Sequence, residues 1–161
     1  SEMCIRDRFT AATYNVFGST STAATSTVFT VGNCINTGTA HPFVAYCFAE
    51  IAGYSKFGSY TGNGSADGPF VYLGFRPKCV MVKCSSTTGN WAIADTSRLG
   101  YNVDNNPLYA NLTNVEGTDD WVDILSNGFK IRSSTSDWNT SSATYIYMAF
   151  AESPLKYANA R

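Results

Sequence analysis

The stretch Ala143-Thr-Tyr-Ile-Tyr-Met-Ala-Phe-Ala151 decides the fold class of this chain. Side chains alternate between the two faces of a β-strand, so Ile146, Met148 and Phe150 share one face. The opposite face is also apolar and carries Tyr145, Tyr147, Ala149 and Ala151. Because both faces are apolar, we expect a central strand of a sheet, with one face on the core and the other covered.

A second copy of this pattern lies upstream. Phe43-Val-Ala-Tyr-Cys-Phe-Ala-Glu50 matches Tyr145-Ile-Tyr-Met-Ala-Phe-Ala-Glu152 at an offset of 102. A shorter pair precedes each copy, since Ser26–Val31 matches Ser126–Ile131 at an offset of 100. Self-similarity of this kind indicates a repeated structural unit.

The repeat also sets the predicted domain plan. Residues 9–52 are predicted to be the C-terminal remnant of a preceding repeat, residues 53–153 a complete repeat, and residues 154–161 a tail. Residues 1–8, SEMCIRDR, match nothing after them, and Met3–Arg8 corresponds to a translated transposon end of the kind used in sequencing adapters. We interpret these eight residues as an assembly scar on a metagenomic fragment and leave them out of the fold.

Turn residues divide the complete repeat into short strands. Runs of β-branched and aromatic residues favour strands, whereas clusters of Gly, Asn, Ser and Pro favour turns. The predicted strands are Lys56–Thr61, Phe70–Phe75, Cys79–Cys84, Asn90–Asp95, Trp121–Leu125, Gly128–Arg132 and Ala143–Ala151. We also expect a hairpin-type turn at Gly62–Gly68, an edge, bend or bulge at Pro77, and one helical turn near residues 111–116. This pattern predicts an all-β fold, an antiparallel β-sandwich of the jelly-roll or concanavalin-like kind, with a partial preceding repeat.

The composition argues against several function classes. Charged residues make up 14% of the chain and the net charge is −1, whereas about a quarter of an average soluble domain is charged. No basic stripe is present to neutralise phosphates, so we expect no nucleic-acid partner. The sequence holds no apolar run of about 18 residues, so we expect no membrane insertion.

The cysteines and the histidine indicate neither a metal centre nor a nucleophile. After residue 8 the cysteines are Cys34, Cys47, Cys79 and Cys84. They form no C-x-x-C pair, and a single His41 does not complete the usual zinc ligand sets, so we expect no metal, no cofactor and no catalytic residue. We predict buried free thiols, and Cys47 takes the place of Ala149 in the repeat, which favours a packing role.

Candidate ligand residues lie in the polar loop before the last strand, at Asp137, Trp138 and Asn139. An exposed Trp beside Asp and Asn can stack on a sugar ring while the polar side chains bond its hydroxyls. The corresponding upstream loop, residues 32–40, holds no aromatic residue. The alternative is that Trp138 folds back onto the rim of the sandwich.

One acidic cluster is present, formed by Glu116, Asp119, Asp120 and Asp123. Carboxylate oxygens suit Ca²⁺, and paired carboxylates serve glycoside hydrolysis. The spacing does not follow a calcium-loop pattern, so we expect a solvated turn and leave cation binding as the alternative.

An ordered set of segments resembles a domain of unknown function that recurs in phage proteins, often in tandem and near tail genes. The segments are Phe57-Gly-Ser-Tyr-Thr-Gly-Asn-Gly64, Gly74-Phe-Arg-Pro77, Val80-Met-Val-Lys83, Ser126-Asn-Gly-Phe129 and Tyr145-Ile-Tyr-Met-Ala-Phe-Ala-Glu152. The resemblance covers residues 25–156. It implies a concanavalin-like or laminin-G-like β-sandwich in a virion, and it carries over no catalytic residues.

We therefore expect a non-enzymatic bacteriophage virion protein, a tail or tail-fibre module that displays loops for host-surface glycans. Its expected partners are other virion tail proteins, a host-surface glycan and further copies of itself as a homo-oligomer. A purely architectural spacer without a ligand is the alternative. A glycan depolymerase is the third hypothesis, and it needs two close carboxylates with perturbed pKa values in a cleft.

Overall fold

Eight strands follow one another in this computed structural model, which describes residues 27–28, 46–98, 102 and 106–153. They are β1 (Ser55–Thr61), β2 (Phe70–Tyr72), β3 (Pro77–Cys84), β4 (Trp91–Asp95), β5 (Leu108–Tyr109), β6 (Val122–Leu125), β7 (Gly128–Ile131) and β8 (Thr144–Ala151). The described residues contain no helix, and therefore none that is long and apolar enough to cross a membrane. The all-β prediction is confirmed.

The strands form two antiparallel sheets. The larger sheet has the order β1-β8-β3-β4-β5 and the smaller has the order β2-β7-β6. Strand β8 lies between β1 and β3, with Met148 opposite Phe57 on one side and Met81 on the other. The predicted central position of the last strand is therefore confirmed.

The inner faces of both sheets contribute to one apolar core. Val82, Tyr145 and Tyr147 of the larger sheet pack in a single cluster with Phe129 and Ile131 of the smaller sheet. The Phe129 ring meets that of Tyr147 edge-on, with 5.6 Å between the ring centroids, a favoured geometry for aromatic pairs. The two sheets thus have a sandwich-like arrangement.

The two faces of β8 follow the predicted alternation. Tyr145, Tyr147, Ala149 and Ala151 are buried in the core. Ile146, Met148 and Phe150 are half-buried on the other side. Across the sheet, Met148 aligns with Phe57, Met81 and Ile93, so an apolar row crosses four strands.

Two predictions for the loops differ from the structure. Gly62–Gly68 is not a hairpin turn, because it connects β1 of one sheet to β2 of the other. Residues 111–116 form no helical turn. Instead, the Asn111 side chain accepts a hydrogen bond from Trp91 N at 2.8 Å, and such side-chain bonds compete with helix formation.

Pro77 lies where the sequence suggested an irregularity. The β3–β8 register shifts between Pro77 and Cys79, so the strand is irregular at the position where an edge, bend or bulge was predicted. Strand β2 ends at Tyr72, three residues earlier than expected. Both Leu73 N and Gly74 N donate to Asn127 O, which turns the chain, and Gly74 has a φ of 82°.

The upstream copy of the last strand does not form a strand in its described part. Residues 46–50 are irregular, and Tyr46 and Phe48 are exposed. Among the described residues no strand pairs with this segment, and an isolated strand is not stable in water. The chain divides into two compact units, with the division between residues 48 and 49, and the eight strands of the described residues belong to the unit that contains Ala49–Arg161.

The thiols behave differently from one another. Cys47, Cys79 and Cys84 are free, as predicted; Cys84 is buried, Cys79 half-buried and Cys47 exposed. The packing role expected for Cys47 is wrong, because the irregular segment around it offers no sheet to pack against. The assembly scar, Cys34, His41, the tail and most of the predicted remnant lie outside the described residues.

Candidate functional site: the loops around Trp138

Trp138 is buried, not exposed. Its exposed fraction is 0%, and it belongs to the core cluster. Its carbonyl accepts a hydrogen bond of 2.7 Å from the Tyr60 hydroxyl, which fixes the loop to strand β1. Of the two alternatives drawn from the sequence, an exposed ring and a ring folded back onto the sandwich, the structure therefore shows the second. In this conformation the ring offers no face to a sugar.

Two stacked tyrosines support the loop from below. The rings of Tyr60 and Tyr145 are nearly parallel, at 8°, with their centroids 5.1 Å apart. The Tyr145 hydroxyl donates to Ser136 O at 2.7 Å and accepts from Thr140 N at 2.8 Å. Burial raises the pKa of Tyr60 and of Tyr145 above the usual value, so both remain neutral donors.

Asn139 is a buried hydrogen-bonding hub with an exposed fraction of 0%. Its two Nδ2 hydrogens are shared among three acceptors, Asn63 Oδ1, Ser65 O and Ser133 O, at 2.8, 2.7 and 2.9 Å, and its Oδ1 accepts from Asn63 N at 2.8 Å. The backbones of the two loops approach so closely that a Cβ on Gly62 would lie 2.2 Å from Thr140 O. Asn139 therefore ties the β1–β2 loop to the β7–β8 loop, and its polar groups are taken up by the protein itself.

Asp137 is half-buried and points to the other side of the loop. Its Oδ1 accepts from Asn90 N at 2.7 Å, and its Oδ2 from Asn90 Nδ2 at 3.3 Å. Asn90 Oδ1 in turn accepts from Asn111 Nδ2 at 3.1 Å. This network connects the β3–β4 loop, the β5–β6 connection and the β7–β8 loop.

Two half-buried aromatic rings lie beside the network. Tyr109 and Trp121 have ring centroids 6.2 Å apart and an interplanar angle of 59°. Burial, the charge of Asp137, a hydrogen bond to its carboxylate and the charge of Asp119 raise the pKa of Tyr109 to about 12. The Tyr109 hydroxyl therefore remains neutral and joins the aromatic pair to Asp137.

We call Asn90, Tyr109, Asn111, Trp121 and Asp137 the loop patch. Of the three residues singled out from the sequence, only Asp137 belongs to it. Sequence reasoning treated Trp121 as the start of a strand; in the structure it lies one residue before β6, and Arg132 N donates to Trp121 O at 2.8 Å. The one feature of the sequence that indicated polar surroundings for Trp121 was its position directly after Asp119 and Asp120.

The acidic cluster is not gathered into one site. Arg98 pairs with Glu116 at 3.0 Å, and Arg132 pairs with Asp123. Asp119 and Asp120 are exposed. Within the described ranges, no group of three or more His, Cys, Asp or Glu side chains is placed to hold a metal ion.

A separate cavity of about 510 Å³ opens between the edges of the two sheets. It is lined by residues of β1 and of the turn after β2, including Lys56, Leu73 and Gly74, and by Glu50. The Lys56 ammonium crosses between the two sheets, donates to Tyr72 O at 3.1 Å and lies 5.4 Å from the centre of the Tyr72 ring.

Comparison with known proteins gives a family. No curated protein and no solved structure matches the chain. One family model matches residues 6–154, across the boundary predicted between the remnant and the complete repeat. Its description, a domain of unknown function, names neither a phage origin nor a concanavalin-like fold. The match spans most of the sequence, and the chain therefore belongs to the DUF7483 family.

Proposed function

We propose that this domain is a structural module of a bacteriophage tail or tail fibre, built as a jelly-roll or concanavalin-like sandwich. Its role is to hold polar loops outward at fixed positions, without catalysis. Its partners are other tail proteins and further copies of the module in the virion. The phage context rests on the ordered sequence segments quoted above, and the display role rests on the loops.

The observation that carries the display role is the Asn139 hub. A loop that must adapt to a substrate keeps polar groups free. In Asn139, by contrast, both the oxygen and the nitrogen of the side-chain amide are hydrogen-bonded to neighbouring loop residues. A buried amide with satisfied donors and acceptor rigidifies its surroundings. The buried Trp138 and the stacked tyrosines fix the same loop from the core side.

An architectural spacer without any ligand is the second candidate. The burial of Trp138 favours it, because the single residue best suited from the sequence to stack on a sugar lies in the core. A depolymerase has less support, since Glu116 and Asp123 are engaged by arginines. The loop patch is a surface on which a ligand could bind. A display module uses such a surface, whereas a purely architectural spacer does not.

Localisation tests the proposal directly. Antibodies raised against the recombinant chain are applied to density-gradient fractions of lysates from bacteria infected with a phage whose genome encodes this chain. We expect the antigen to sediment with intact particles and immunogold label to decorate their tails. Antigen found only in cellular fractions, or on capsids alone, would overturn the assignment.

A further inference from the structure

We propose that the loop patch binds an uncharged sugar residue of a surface glycan. The site consists of the Tyr109 and Trp121 rings together with the side chains of Asn90, Asn111 and Asp137. The inference deepens the proposed display function and rests on it. It differs from the sequence-based candidate, which centred on Trp138.

The aromatic pair supplies the apolar half of the site. Tyr109 and Trp121 are both half-buried, so each ring is anchored on the core and keeps part of its surface in solvent. The planes of the two rings are tilted by 59°, so the pair does not form one flat surface. Such rings present a large contact area at little entropic cost, and the C–H face of a pyranose is the apolar surface that fits them.

The amides and the carboxylate supply the polar half. The Asn111–Asn90 bond is solvent-exposed, and Asn90 Nδ2 and Asn90 N hold the Asp137 carboxylate in place. Each carboxylate oxygen accepts more than one hydrogen bond, so Asp137 has capacity left for hydroxyl donors. Because the network is fixed before a ligand arrives, little ordering is needed on binding.

Charge selects the kind of sugar. Asp119, Asp120 and Asp137 make this end of the domain acidic, and Asp119 acts on Tyr109 through its charge. The nearby arginines are engaged, since Arg98 bonds Asp95 and Glu116, and Arg132 bonds Asp123. The Lys83 ammonium, near the same end of the sheet, donates to Cys84 O. A sialylated or sulfated residue would therefore meet the like charges of these carboxylates, which is a means of rejecting the wrong ligand.

Most of the loop patch lies on three loops, which suits a module whose specificity can vary while its sheets stay the same. The β3–β4 loop gives Asn90, the β5–β6 connection gives Asn111 and Trp121, and the β7–β8 loop gives Asp137. Side chains in loops can change without disturbing the sheets. Weak single-site binding is then multiplied by repeated copies on one particle.

The test is a glycan array probed with the full chain, presented as a multivalent conjugate, with neutral, sialylated and sulfated glycans side by side. We expect signal on neutral glycans only. Asn111→Ala, at an exposed position, should lower that signal at least tenfold, as should Trp121→Ala. Tyr72→Ala removes an aromatic ring that is 60% exposed on β2 and should leave the signal unchanged.

Circular dichroism and thermal unfolding of each variant distinguish a loss of binding from a loss of folding. If Trp121→Ala does not fold, the folded Asn111→Ala variant still tests the proposal. Signal equal on sialylated and neutral glycans, full binding by Asn111→Ala, or no binding by the folded chain would each overturn the proposal. A chain that labels phage tails yet binds no glycan would overturn this inference alone and leave the display module standing.

Discussion

Asn63 and Asn139 bond each other reciprocally although 76 residues separate them in the sequence. Asn139 Nδ2 donates to Asn63 Oδ1 at 2.8 Å, and Asn63 N donates to Asn139 Oδ1 at the same distance. Asn63 is exposed and Asn139 is buried, so the pair joins a surface loop to the interior. The loops of this domain therefore depend on one side-chain amide.

Asn139→Asp tests that dependence with almost no change in shape. The substitution removes the donor to Ser65 O and Ser133 O and places a carboxylate among acceptors. We expect a loss of about 2–4 kcal/mol in the free energy of unfolding, since buried groups left unpaired cost about 1–3 kcal/mol each. Urea denaturation measures it, with Asn114→Asp at an exposed loop position as the matched control. Equal stability of the two variants would contradict the hub.

Trp138 gives a second test, in which two substitutions should behave differently. Within the part of the chain that the structure describes, its buried Nε1 has no hydrogen-bond partner. Trp138→Phe removes that N–H and part of the ring and should cost clearly less than Trp138→Ala, which leaves the larger cavity and should cost about 3–5 kcal/mol. Denaturant midpoints compare them. A loss in Trp138→Phe as large as in Trp138→Ala would exceed what its smaller cavity explains and would mean that the indole N–H has a partner, such as an internal water.

The strands were predictable because each has its own local pattern. Seven of the eight were expected from runs such as Cys79–Cys84, and the shift after Pro77 followed from its missing N–H. Strand β5 was missed because Leu108–Tyr109 is too short to show any period. The sequence left the exposure of Trp138 open between two alternatives, because its polar neighbours in the chain say nothing of a contact with Tyr60, 78 residues away in sequence.

Lys56 yields a prediction about solubility. It lies on β1, an edge strand of the larger sheet, and its ammonium bonds Tyr72 O on β2, an edge strand of the smaller sheet. Charged side chains at edges prevent pairing with another chain. We expect Lys56→Met to self-associate at concentrations where the parent is monodisperse, with Lys78→Met on β3 as the control. Sedimentation velocity decides, and identical profiles for both variants would exclude an edge-protecting role for Lys56.

Alkaline pH should weaken this domain through its tyrosines. The pKa of Tyr109 is raised from 10.0 to about 12, first by burial and then by Asp137, and the pKa of Tyr147 is also raised, mainly by burial. A group that holds its proton more tightly in the folded state contributes stability that is complete below its unfolded pKa and is lost as pH rises toward the folded one. We therefore expect the urea midpoint to be level up to about pH 10 and to fall between pH 10 and 12. Tyr109→Phe should reduce the fall, because one of the titrating hydroxyls is gone. Tyrosinate absorbance that rises at pH 10 in the folded protein for all tyrosines alike, with no drop in the midpoint, would show that Tyr109 is not held by burial and by Asp137.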